Sequence, residues 1–90
     1  MVAIAIDLTT VDELARENLI KAERQRGREL RAMGAIRAIW RVPGDGLRNV
    51  GVWRAADEID LRALIESLPM HPHMRLEITP LLHHPLSDIG

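Results

Sequence analysis

Ala35-Ile36-Arg37-Ala38-Ile39-Trp40-Arg41-Val42-Pro43-Gly44-Asp45-Gly46-Leu47-Arg48-Asn49-Val50-Gly51-Val52-Trp53-Arg54-Ala55 decides the fold. From Ala35 to Val42 the residues alternate with a period of two, the repeat of a strand. Ile36, Ala38, Trp40 and Val42 fall on one face, and Arg37, Ile39 and Arg41 on the other. Pro43-Gly44-Asp45-Gly46 concentrates turn-forming residues. Asn49 to Ala55 reads as a returning strand, so the two runs make a hairpin.

Upstream of the hairpin, Gly34 is placed to end a helix as a C′ glycine. Val11, Leu14, Ala15, Leu19, Ala22, Leu30 and Met33 sit at helical spacing before it, predicting a helix from Val11 to Met33. Thr10-Val11-Asp12-Glu13 has the pattern of a capping box at its start. Earlier still, Val2, Ile4, Ile6 and Leu8 alternate as a first strand. Downstream, Asp57 is a candidate N-cap for a short helix with Leu61, Leu64, Ile65 and Leu68 as its apolar stripe. Pro69 stops that helix and Pro72 keeps the next residues irregular. Met74, Leu76 and Ile78 then alternate with Arg75, Glu77 and Thr79 as a fourth strand. Residues 81–90 read as an extended tail of a single domain spanning 1–90. The order β-α-β-β-α-β is a split βαβ plan. It predicts an α+β, ferredoxin-like fold: a four-stranded, mainly antiparallel sheet with both helices on one face and the other face bare.

A 90-residue domain buries only about 60–65% of its unfolded surface. With no cysteine there is neither a disulfide framework nor a thiolate metal site. Yet 47% of the residues are apolar, and such a chain gains its missing burial by oligomerising. The net charge of −1 argues against bulk attraction to nucleic acid. The basic run from Lys21 to Arg31 is interleaved with Glu23 and Glu29, and Tyr and Phe are absent, so the aromatic platforms of an RNA-binding sheet are missing. No apolar run approaches the roughly 20 residues of a membrane span, and the start lacks the basic segment of a secretory signal. A cytoplasmic protein without nucleic-acid or membrane partners is expected.

The ordered motifs of the second half resemble the muconolactone isomerase family. Ile39-Trp40-Arg41-Val42-Pro43-Gly44 is similar to its Leu/Ile-Trp-Arg-x-x-Gly strand end. Asn49-Val50-Gly51-Val52-Trp53 stands where that family has Asn-x-Ser-Val-Phe. Ser67-Leu68-Pro69, Leu76-Glu77-Ile78-Thr79-Pro80-Leu81 and His84-Pro85 also match, as do Glu23, Leu30 and Gly34 in the first half. The resemblance implies a cofactor-free isomerase of aromatic catabolism that shifts a proton within a carboxylated butenolide. It further implies a decamer built from paired subunits, with active sites between them. Three departures fall near the implied pocket. The loop Gly44–Asn49 has no aromatic and is about one residue longer, the aromatics around the second proline become His71 and His73, and the acid after the strand-three aromatic becomes Arg54.

Such a proton shift needs a base, a donor for the lactone oxyanion and a cation for the substrate carboxylate. Glu23 is the candidate base. It lies four residues after Leu19 and seven before Leu30, at the edge of the buried helical stripe, where burial would raise its pKa. Its plainer role is a solvent ion pair with Arg26 or Lys21. Gly27, one turn on, could let a ligand or subunit approach. Arg41 is the candidate carboxylate anchor, with Arg37 beside it, because a guanidinium grips a carboxylate bidentately; a salt bridge is the alternative. Trp40 joins them as a substrate contact or else anchors the core or a subunit interface. Asn49 is a candidate oxyanion donor or a structural residue at a strand start. His73 is a second donor or a packing residue. His71-Pro72-His73 and His83-His84 lack a companion carboxylate at ligand spacing, so no metal is expected. Two other readings stay open: a paralogous isomerase, dehalogenase or cyclase with another substrate, and a non-catalytic oligomeric binding module.

Overall fold

The computed structural model describes residues 1–82 and residue 86. Most of the expected tail, with His83 and His84, lies outside them. Strand β1 (Val2–Ile6) leads to helix α1 (Glu13–Ala32), β2 (Ile36–Arg41) and β3 (Leu47–Trp53). Helix α2 (Glu58–Glu66), a 3-10 turn (His71–His73) and β4 (Met74–Ile78) follow. The sheet order is β2-β3-β1-β4 and every neighbouring pair is antiparallel. This is the predicted α+β plan.

Local chemistry sets the helix ends. Helix α1 starts at Asp12, whose Oδ1 accepts the Ala15 N–H at 2.9 Å, so the cap lies two residues beyond the Thr10 that the capping-box pattern suggested. Its end is a Schellman arrangement: Gly34 takes φ +83°, its N–H donates to Arg31 O, and the Ala35 N–H donates to Leu30 O. Helix α2 starts at Asp57 as expected, Oδ1 accepting the Asp60 N–H at 2.7 Å.

The sheet departs from simple alternation at one point. Ile36 pairs with Trp53, but Ala38 pairs with Val52, so Arg37 is an extra residue in β2. Cross-strand partners share a face. Ile36 therefore shares a face with Ile39 and Arg41, not with Ala38 and Trp40 as strict alternation predicted. The helix side carries Ile36, Ile39, Arg41, Asn49, Gly51 and Trp53 from the hairpin, with Val2, Ile4, Leu76 and Ile78 from the inner strands. Trp40, Val50, Ala3 and Glu77 form one row of the opposite face, and Arg48, Ala5 and Arg75 the next.

The core lies between the helices and this first face: Val2, Ile4, Leu30, Ala35, Ile36, Ile65 and Leu68 are buried together. Within α1 the buried stripe is narrower than the apolar spacing implied. Leu30 is fully buried, whereas Leu14 is 70% exposed because sixteen residues carry it about 160° around the helix. Glu23, seven residues before Leu30, is only about 20° off the stripe. Ile39, Arg41 and Leu47 remain exposed, so the helices leave the outer helix-side corner of β2 and β3 uncovered.

Candidate active site

Helix α1 turns Glu23 inward, and a carboxylate there needs a donor. The donor is the backbone N–H of Met70, 2.8 Å from Glu23 Oε1. Burial raises the Glu23 pKa above the ordinary 4.5, and the Met70 hydrogen bond opposes that shift to a smaller extent. Oε2 has no hydrogen bond among the described residues. Among the described residues Glu23 has no ion pair with Arg26 or Lys21: Arg26 instead bonds Glu29 at 3.2 Å and the Ser67 hydroxyl at 3.0 Å.

Met70 is buried just after α2 and both its N–H and its carbonyl are hydrogen-bonded. Its N–H goes to Glu23, and its carbonyl accepts the His73 N–H at 2.9 Å. The His73 carbonyl in turn accepts the Asp7 N–H at 3.0 Å. Glu23 and His73 are thus joined through one short turn that also locks onto β1.

On the sheet beneath, Asn49 lies beside Ile4 on β1 and opposite Arg41 on β2, all on the helix side. Asn49 Oδ1 is buried with no hydrogen-bond partner among the described residues. An orphan acceptor of this kind costs about 1–3 kcal/mol, so the position favours an incoming donor. Arg41 is exposed at the uncovered corner and has no ion pair among the described residues.

His73 borders a cavity of about 920 Å³ at the Ile6 end of the sheet, with Asp7, Arg16, Ile20, Arg48 and Arg75. Arg16 is committed to loop carbonyls, donating to Leu8 O at 3.0 Å and Val11 O at 3.2 Å. Asp7 is held below the usual carboxylate range by the Thr9 hydroxyl and the Thr9 N–H, with a smaller contribution from His73. Arg48 and Arg75 add positive charge with no side-chain hydrogen bond or ion pair among the described residues.

The structure therefore gathers Glu23, Asn49 and Arg41 on the helix side and ties His73 to Glu23. Two candidates stand apart: Trp40 is on the opposite face, and Arg37 borders another cavity at the Val2 end of the sheet. The Met70 N–H and the Arg48–Arg75 pair were not anticipated. A backbone donor leaves no mark in a residue pattern, and the two arginines flank one another across β1 only because both pair with Ala5. Among the described residues no group of three His, Cys, Asp or Glu side chains could hold a metal ion, and no helix is long and apolar enough to cross a membrane.

A four-stranded antiparallel sheet with two helices and a half-buried glutamate between them defines a small α+β, ferredoxin-like domain. The family model described as muconolactone delta-isomerase matches residues 1–87, and the chain belongs to that family. It is 32% identical to the muconolactone delta-isomerase of Acinetobacter baylyi over 78% of this chain and 73% of that one. It is also 32% identical to the enzyme of that name from Rhodococcus opacus, over 92% and 85%. The fold superposes on a crystal structure of muconolactone isomerase with a TM-score of 0.79, covering 99% of this chain and 95% of the other at 22% identity.

Proposed function

We propose that this protein is a cofactor-free isomerase that moves a proton within a small carboxylated unsaturated lactone, converting muconolactone to the enol-lactone of 3-oxoadipate. The observation that carries this reading is Glu23, a half-buried carboxylate with a raised pKa and one oxygen held by Met70, in a chain of this family. Glu23 Oε2 takes the γ-proton of the ring. The electron pair delocalises into the lactone as a dienolate, and Glu23 returns the proton at the α-carbon. Asn49 faces the developing oxyanion: a half-turn of its carboxamide exchanges Oδ1 for Nδ2, so the same buried position presents a donor. Arg41 grips the substrate carboxylate at the open corner, and His73 is a second donor.

The uncovered corner at Ile39, Arg41 and Leu47 supports a site completed by a second subunit. A dimer-based ring, a decamer as in the implied family plan, would supply that cover. A cytoplasmic role in aromatic catabolism accords with this reading. Proton NMR of the protein with muconolactone in D₂O tests it. Loss of the γ-proton signal, with deuterium entering the α-carbon of an enol-lactone product, is expected. A folded oligomer giving no exchange above the uncatalysed rate would direct the search to lactones suited to the aromatic-free loop Gly44–Asn49.

A further inference from the structure

The cavity at the Val2 end of the sheet has a volume of about 710 Å³, within the ordinary range of small-molecule sites. Its walls are apolar: Val2, Trp53, Leu61 and Leu81 among others. Four charged side chains border it, with the Met1 ammonium, which donates to Thr79 O at 2.6 Å, and their engagements differ. Asp57 is occupied in capping α2 through the Asp60 N–H. Glu58 is paired with Arg62 at 3.6 Å. Arg37 and Arg54 have no side-chain hydrogen bond or ion pair among the described residues. The backbone sets their places differently. Arg37 is the extra residue of β2, and the Arg54 N–H donates to Ala35 O at 2.8 Å. Two arginines thus border an apolar cavity whose acidic side chains are engaged elsewhere.

We propose that this cavity is a second organic-acid site, taking a small ring-bearing carboxylate with its ring against Trp53 and Leu61 and its charge on Arg37 and Arg54. An apolar wall bordered by two arginines is suited to such a ligand: the ring is desolvated while the carboxylate gains charge-assisted hydrogen bonds. The site shares the helix side with Asn49 but lies at a different point along the sheet. Trp53 lies at the Val2 end of β3, whereas Asn49 lies two residue pairs further along β1, opposite Ile4.

Fluorine NMR of the full chain labelled with fluorotryptophan tests the proposal, because the chain has only Trp40 and Trp53. Trp40→Phe assigns the two signals. Benzoate should move the Trp53 signal saturably and leave the Trp40 signal in place, and benzamide, which lacks the charge, should bind about tenfold more weakly or worse. Arg37→Ala/Arg54→Ala should weaken benzoate to a similar degree. Arg54→Asp, a change at an exposed side chain, should do the same by giving Arg37 an internal partner. Glu23→Gln should leave the titration intact even if it abolishes turnover, which separates this site from the proposed active site. The proposal is overturned by a flat Trp53 signal up to tens of millimolar benzoate, by equal binding of benzamide, by unchanged affinity in the arginine variants, or by loss of binding in Glu23→Gln.

Discussion

At the residue scale, Glu23 and Gly51 each carry a testable consequence. Burial raises the Glu23 pKa, so the folded state holds its proton to higher pH than the unfolded chain does. The associated stability is fully present below the ordinary 4.5 and is lost as pH rises through the raised folded value. Gln keeps an oxygen for the Met70 N–H but cannot ionise. Denaturant melts should therefore show Glu23→Gln gaining on the parent as pH moves from acid to neutral. The same substitution should lower kcat by about 10²–10⁴-fold if Glu23 is the base. Gly51 is constrained by packing. A Cβ there would stand 3.0 Å from Ala38 O and 3.3 Å from Trp53 Nε1. Gly51 and Trp53 replace the Ser and Phe of the resembled pattern, a smaller residue making room for a larger one. Gly51→Ala should cost about 1–3 kcal/mol, and less in a Trp53→Phe background, where the orphan indole N–H is also gone. A double-mutant cycle by chemical denaturation measures the coupling.

At the element scale, the start of α1 separates a sequence pattern from the geometry it became. Thr10 and Glu13 have the capping-box pattern, yet it is Asp12 that accepts the Ala15 N–H, while the Val11 N–H turns back to Leu8 O. Asp12→Ala should cost about 1 kcal/mol, and Thr10→Ala much less. Thermal unfolding of the two variants distinguishes them. The second helix was more legible: Asp57 is its cap and the chain leaves the helix before Pro69. In β2 a period of two was correct for the strand and wrong for its faces. One inserted residue at Arg37 changes the side on which Ile36 stands relative to Trp40, a consequence of pairing across the ladder.

At the scale of the whole molecule, much apolar surface is left unsheltered. Trp40 is 53% exposed in the row with Val50 and Ala3, and Leu14, Met33 and Ile59 face outward from the helices. On the proposed oligomeric reading, Trp40→Asp should break assembly, read as a smaller sedimentation coefficient, without unfolding the sheet. Arg41 at the uncovered corner belongs to the same argument. Arg41→Lys, which loses the bidentate fork, should raise KM for a carboxylated lactone more than it lowers kcat.

The order of elements, their antiparallel hairpin, the C′ glycine and the inward position of Glu23 were all readable from residue spacing, because period and punctuation are local properties of the chain. The resemblance carried by the Trp40-Arg41 pair and by Asn49 likewise led to the family that the chain belongs to. Only the tertiary structure decided which side of the sheet each β2 residue occupies, that Arg37 and Trp40 stand away from Glu23, and that Met70 supplies the donor to its carboxylate. These depend on a ladder register and on a backbone N–H brought 47 positions along the chain. Neither is encoded in any short pattern; both arise when the sheet, helix and turn pack against one another.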